Sequence, residues 1–276
     1  MRVAVIGANG QLGTDLVKVF DAVPLTHEDL NVTDPDSLNV LKEIGPDVVV
    51  NTAAYVRVDD AEVEAEEALR VNAVGALNVA RACDEIDAIN VYISTDYVFD
   101  GAKGEPYVEQ DIPNPINVYG LSKYAGEVFT RNYSLRHYII RVASLYGNAG
   151  GGNFVDSMIQ RAGEEGAVRV VDDVFMSPTY TKDVSYMLRR FLDVGPEFGV
   201  YHFVNEGCCS WYDFAREIFD ILGGDVRMMP IKSDELGRRA RRPVFSALKN
   251  KKLEGLGLRM RGWEDALRGY LAEEMG

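Results

Sequence analysis

The chain opens with Val3-Ala4-Val5-Ile6 and passes at once into Gly7-Ala8-Asn9-Gly10-Gln11-Leu12-Gly13. A β-branched run, a G-x-x-G-x-x-G turn and a helix-compatible stretch in that order leave few folds open. The glycines allow a tight turn and let backbone amides approach a pyrophosphate held at the N-terminus of the following helix. An isolated glycine pattern is an ordinary strand-to-helix turn. With a strand before it and a helix after it, the pattern reads as a dinucleotide-binding loop. Gly7, Asn9, Gly10, Gln11, Leu12 and Gly13 are therefore the first candidate cofactor contacts.

The theme then repeats. Asp47-Val48-Val49-Val50-Asn51, Val91-Tyr92-Ile93-Ser94 and Tyr138-Ile139-Ile140-Arg141 are further short apolar runs separated by amphipathic stretches. Near-continuous apolar strands alternating with helices predict an α/β fold, a Rossmann-like doubly wound parallel sheet covered on both faces. Leu69, Ala73, Leu77, Ala80 and Cys83 recur at three- or four-residue steps and predict one face of a long helix. The glycine-rich segment 147–153 marks a candidate boundary. It divides a dinucleotide-binding domain over 1–150, with a later contribution near 183–204, from a smaller C-terminal α/β substrate-binding domain over 151–182 and 205–276. A last helix is expected near Trp263 to Met275.

The choice between NADP and NAD turns on the tip of the second strand, Val23-Pro24-Leu25-Thr26. An acid there would bond the ribose 2′-hydroxyl and repel a 2′-phosphate. The tip carries Thr26 and His27, with Glu28 and Asp29 just beyond. A neutral tip tolerates NADP(H), which is the preferred expectation, with NAD(H) open as well.

Tyr119 and Lys123 lie four residues apart in a helix-compatible segment, so they share a face. An ammonium beside a phenol favours the phenolate and brings the group nearer to neutrality for proton exchange. Such a pair gains meaning from context. Ser94-Thr95-Asp96-Tyr97 places hydroxyls at the C-terminal end of the sheet, where open α/β sheets bind ligands.

The segments GANGQLG, PDVVVNTAAYVRVDDAE, ISTDYVFDG, NPINVYGLSKYAGE, SPTY and RRPVFSALKNKKLEGLG resemble, in that order, the extended short-chain dehydrogenase/reductases. Within them the chain is similar to the dTDP-4-dehydrorhamnose reductase family over nearly its whole length. The resemblance implies that Thr95 hydrogen-bonds a substrate carbonyl and that Tyr119 is the general acid. Lys123 would hold the nicotinamide ribose and lower the Tyr119 pKa. Ala53, Ala54 and Tyr55 would line the cofactor, and Asn72 would position the site. Asp96, Tyr97, Ser144, Asn153 and Arg242 would contact substrate. The implied reaction is reduction of the C4 ketone of a nucleotide-diphosphate sugar.

Departures from the family pattern fall at expected substrate contacts. Ser144 stands for a tryptophan, Val174 for a glutamine, Met176 for a glycine and Val56 for a threonine. They leave the identity of the sugar open, and with it two alternatives. One is a non-catalytic NADP-binding subunit similar to the methionine adenosyltransferase β subunit. The other is a nucleotide-sugar epimerase, which would recycle NAD.

Charge narrows the partner. Acids outnumber bases 43 to 29, a net charge of −14, which argues against nucleic acid and anionic membranes. No apolar run approaches a membrane span, and the N-terminus enters a strand rather than a signal peptide. Three cysteines form no disulfide framework, so a cytoplasmic location is expected. The three histidines match no metal spacing, and no metal is expected. A homodimer is left open. Yet residues 227–252 concentrate basic side chains, densest at Arg238-Arg239-Ala240-Arg241-Arg242, with only Asp234 and Glu235 among them. Guanidinium groups bind diphosphates well, so this acidic chain can still hold a small dianionic ligand.

Overall fold

The computed structural model describes residues 1–149 and 152–274. Five strands, β1 (Val3–Ile6), β2 (Val23–Leu25), β3 (Val48–Asn51), β4 (Ile89–Thr95) and β5 (His137–Val142), build one sheet, and β10 (Gly199–His202) joins it from later in the chain. The order is β10-β5-β4-β3-β1-β2, with every pairing parallel. Strand order reverses beside β1, and such a switch point leaves a crevice at the carboxyl ends of the strands.

The strands are apolar throughout because both faces are covered. Val3, Val5, Val48, Val50, Val91 and Ile140 face one way. They pack against Leu12 and Leu16 of α1 (Gln11–Phe20) and Val184, Leu188 and Phe191 of α8 (Thr181–Val194). Ala4, Ile6 and Val49 face the other way, onto Leu41 of α2 (Asn39–Ile44) and Val79 and Cys83 of α5 (Gly75–Glu85). This alternation within a doubly buried strand is the pattern the β-branched runs predict.

The expected long helix exists but is not one regular element. After the short α3 (Val58–Ala61), α4 (Ala65–Leu69) passes through a π turn, Arg70–Val74, into α5. The extra residue rotates the face, so Leu69, predicted to be inward, is 37% exposed. Ala73, Ala80 and Cys83 beyond it are buried. Regular 3.6-residue periodicity cannot anticipate a π insertion, and such turns concentrate at functional sites.

The C-terminal region has its own apolar cluster. Tyr146 and Tyr180 come from the two-residue strands β6 (Leu145–Tyr146) and β9 (Thr179–Tyr180). Met158 lies on α7 (Phe154–Glu165), Val168 and Val170 on β7 (Ala167–Val171), and Met176 on β8 (Phe175–Met176). Phe214 and Ile218 belong to α9 (Trp211–Leu222), which follows β11 (Cys209–Ser210), and Leu267 and Tyr270 to α11 (Trp263–Glu274). The parallel pair of β7 with β12 (Arg227–Ile231) completes it, and α10 (Lys251–Gly255) leads back to β10. Met275, the predicted end of the last helix, and Gly150 and Gly151 of the predicted boundary lie outside the described residues.

Candidate active site

A cavity of about 790 Å³ runs along the carboxyl edge of the sheet. Gly7, Asn9, Gly10, Gln11, Leu12 and Gly13 line it, as do His27, Ala53, Ala54 and Tyr55. The loop geometry fits a dinucleotide. Gly10 caps α1 in extended conformation, and the first turn of the helix carries no acid. The amides of Gln11, Leu12 and Gly13 meet no acceptor among the described residues, which leaves them for an anion. A Cβ on Gly13 would stand 2.2 Å from the Gly7 carbonyl oxygen. Only glycine lets the loop lie this close to the helix.

At the β2 tip the structure sorts the residues that counting left open. The Asp29 carboxylate accepts from the Thr26 amide at 2.9 Å and hydroxyl at 2.7 Å, and these bonds lower its pKa. Neither Thr26 nor Asp29 lines the cavity, whereas His27 does. Thr26, expected at the cofactor, is instead the anchor of the Asp29 turn. Asn31, Val32, Thr33 and Arg70, which the sequence reading missed, complete this end. No sequence period marks them, and Arg70, at the start of the π turn, is held there by donating to the Thr33 hydroxyl at 2.9 Å and pairing with Glu67.

Thr95, Asp96, Tyr119, Lys123 and Ser144 line the opposite end of the same cavity. Tyr119 and Lys123 stand on α6 (Val118–Tyr133), whose cap Asn117 accepts from the Gly120 amide at 2.7 Å and donates to the Arg241 carbonyl at 2.8 Å. A Cβ on Gly120 would reach 2.1 Å from the Tyr97 carbonyl oxygen, so glycine brings the helix start against the end of β4. Asn72 lies behind the site rather than on its wall. Its side chain accepts from the Tyr55 amide at 2.8 Å and donates to the Tyr55 carbonyl at 3.0 Å and to the Ser122 hydroxyl at 2.9 Å. It thereby ties the β3 loop to α6.

Electrostatics here differ from the sequence expectation. Burial pulls the Lys123 ammonium down to about 7, opposed by the Glu127 charge. Burial pushes the Tyr119 phenol well up, with the Thr95 hydroxyl opposing. Lys123 therefore does not bring Tyr119 towards neutrality; it donates to the Ile93 carbonyl at 2.6 Å and lies over the Tyr92 ring. Desolvation outweighs the ion–phenol attraction because both groups are buried. A proton-bearing phenol suits a donor. Thr95 donates its proton to Asp96 at 3.0 Å and accepts from the Tyr97 amide at 3.2 Å. Burial pushes the Asp96 carboxyl up to about 6, with the Ser246 and Thr95 hydroxyls opposing.

Tyr97 belongs to a second cavity. Its ring meets Tyr119 edge-on at 5.8 Å, and it lines a space of about 450 Å³ with Arg161, Arg169, Arg238, Arg241, Arg242, Phe154 and Trp211. Arg242 is held by Asp59, with Nη2 donating to Oδ2 at 2.6 Å, and this pair holds the Asp59 carboxyl far below its ordinary range. Of the departures, Val174 lines this second cavity, Met176 is core, and Val56 is an exposed residue on the rim of the first. Ser144 lines the first cavity with φ +44°. Asn153 lines neither. It caps α7, its side chain accepting from the Val155 amide at 2.8 Å and donating to the Gly147 carbonyl at 2.9 Å and the Tyr270 hydroxyl at 3.0 Å. Its polar atoms are used within the fold, contrary to the expected substrate contact.

Residues 1–275 match the sequence profile of the family described as RmlD substrate binding domain. The chain belongs to this family. It is 38% identical to the spore coat polysaccharide biosynthesis protein SpsK of Bacillus subtilis, over 99% of this chain and 97% of that one. It is likewise 38% identical to a dTDP-4-dehydrorhamnose reductase of Mycolicibacterium smegmatis, over 100% of this chain and 86% of the relative. Among solved structures, dTDP-4-dehydrorhamnose reductase from Bacillus anthracis in complex with NADP superposes with a TM-score of 0.95 at 39% identity, covering 99% of each chain. Extended short-chain dehydrogenase/reductase membership and the Rossmann-like fold are thus as the motifs indicated. No helix among the described residues is long and apolar enough to cross a membrane.

Proposed function

We propose that this chain is an NADPH-dependent reductase of the C4 ketone of a nucleotide-linked 6-deoxy-4-keto sugar, acting in the cytoplasm, where its three free cysteines stay reduced. The observation that carries the reading is that Tyr97, a wall of the arginine-lined cavity, touches Tyr119, a wall of the other cavity, edge-on. A ligand spanning them would set its nucleotide in the arginine-lined cavity, with its phosphates on guanidinium groups and its base against Trp211 or Phe154. Its sugar would then lie beside Tyr119. NADP in the Bacillus anthracis relative supports the cofactor, and the amides at the start of α1 would hold its pyrophosphate. Bound NADPH supplies the hydride equivalent for the ketone carbon.

The protein's part is positioning and proton supply. The Tyr119 phenol gives its proton to the carbonyl oxygen as charge develops there. Thr95 offers that oxygen a hydrogen bond by turning its proton from Asp96, and the Lys123 ammonium, on the same face of α6 as Tyr119, would hold the nicotinamide ribose. Absorbance at 340 nm tests the reading: NADPH should be consumed with dTDP-4-keto-6-deoxy sugars, and Tyr119→Phe should slow this at least ~10³-fold. NADPH bound but never consumed across dTDP- and UDP-keto sugars would sink it in favour of a binding subunit. Sugar interconversion without net oxidation would indicate an epimerase.

A further inference from the structure

One turn beyond Lys123 on α6 lies Glu127, its side chain 4% exposed. Its carboxylate accepts from the Ser94 hydroxyl at 2.5 Å and from Arg141 Nε at 2.8 Å and Nη2 at 2.7 Å. Arg141 comes from β5, equally buried, with its guanidinium 5.0 Å from the Phe99 ring centre. Its Nη1 has no partner among the described residues. Neither Glu127 nor Arg141 lines either of the two cavities described, but Ser94 lines the first. Burying an ion pair carries a desolvation cost that an apolar pair of similar volume avoids. Packing alone therefore does not account for charges at this place.

Lys123 is buried and forms no ion pair among the described residues; its ammonium donates to the Ile93 carbonyl. The titratable and charged groups around it are few. From β4 and its end come the Tyr92 ring, 4.3 Å from Nζ, and Asp96. From α6 itself come Tyr119 and Glu127, and from β5 comes Arg141 through its bond to Glu127. Only the Glu127 charge acts appreciably on Lys123, and it favours the ammonium against burial. Arg141 in turn grips the Glu127 carboxylate through two nitrogens, and Ser94 fixes one of its oxygens against the strand that carries Thr95.

We propose that Glu127 is a positioning residue of the reaction, a buried anion locked by Arg141 and Ser94 that keeps Lys123 an ammonium beside Tyr119. This rests on the roles given above to Tyr119 and Lys123. Removing the anion lets Lys123 lose its proton at lower pH, so loss of activity on the alkaline side begins earlier. The direct test follows the Lys123 ¹³Cε resonance with pH in lysine-labelled protein, assigned through Lys123→Arg, in wild type and Glu127→Gln. The Lys123 midpoint should fall by about one unit, and the alkaline limb of kcat with it. At pH 8 the variant should then lose roughly ten-fold in kcat, against about two-fold at pH 6. An unmoved Lys123 midpoint with an equal loss of activity at every pH would overturn the proposal and leave Glu127 structural. If Glu127→Gln does not fold with Arg141 left unpaired, Glu127→Gln/Arg141→Met removes both charges, and a downward shift, smaller because a neighbouring cation is lost with the anion, is required of it. Full turnover by Tyr119→Phe would instead defeat the underlying reading, whatever Lys123 does.

Discussion

Along the sheet edge, the larger cavity opens on a glycine loop and the carboxyl ends of strands. Its glycines, the free amides of α1 and the ends of β1, β3 and β4 hold positions set by a sheet buried on both faces. Beyond Tyr97, the smaller cavity is walled by long side chains, five of them arginines, on loops and short elements. On the function proposed above, the first would select its ligand through shape, since an added methyl group on Gly13 collides with Gly7, and the second through charge. The substitutions at Val56, Ser144 and Val174 all fall on the walls of these two cavities, whereas the glycine loop is intact.

The sharpest test of the first region is to put the same methyl group in the glycine loop and at an exposed glycine outside both cavities. Gly13→Ala should shift the loop, destabilise the protein by about 2 kcal/mol and cut NADPH affinity at least ~100-fold. Gly163→Ala, inside α7 with nothing within 4 Å of the added atom, should raise stability by about 0.5–1 kcal/mol and leave NADPH binding alone. Thermal melts and fluorescence titration separate the two; equal behaviour would undo the distinction.

Arg242→Gln tests the charged side. It should weaken dTDP binding, measured calorimetrically, by roughly 10–100-fold with NADPH affinity unchanged. Unaltered dTDP affinity would mean that Arg242 serves Asp59 only.

Asp96 sits where the cavities approach each other. Its folded-state value of about 6 lies above the ordinary 3.8, so folding favours the protonated form. The stability it contributes is present below about pH 4 and is lost as pH rises through 6. Asp96→Asn should then be close to neutral at pH 4 and stabilising by about 2 kcal/mol at pH 8, read from denaturant curves at both pH values. A stabilisation independent of pH would show that the carboxyl is not strained by burial.

A further small effect is expected at Ser144, whose φ of +44° favours glycine over a side chain. Ser144→Gly should gain about 1 kcal/mol while Ser144→Ala gains nothing.

Much of the site was legible because its chemistry is local. The glycine loop, Thr95 and the Tyr119–Lys123 pair each lie in one short segment whose period or turn chemistry announces it. The arginine cavity was half legible. Arg238 to Arg242 stand out as a cluster, but Arg161 and Arg169 are isolated in the chain, and no local signal attaches them to it. Asn153 misled because an asparagine beside a glycine-rich turn suits a helix cap as well as a ligand contact. Glu127 was visible four residues after Lys123, but its partners Ser94 and Arg141 are on two other elements.

By itself, then, the amino-acid order determined the strand-and-helix alternation, the parallel sheet and the glycine turn between β1 and α1, because each follows from steric and periodic rules within a few residues. Tertiary structure alone decided the electrostatics. The acidic run from Asp59 and the basic run ending at Arg242 look like opposite ends of an uneven charge distribution, yet folding joins them in one ion pair 183 residues apart in sequence. Likewise, an ammonium four residues from a phenol promised a lowered pKa, and burial reversed it. Coulomb attraction depends on spacing, which a helix supplies. Desolvation depends on everything else that packs around the pair, which only the complete fold supplies.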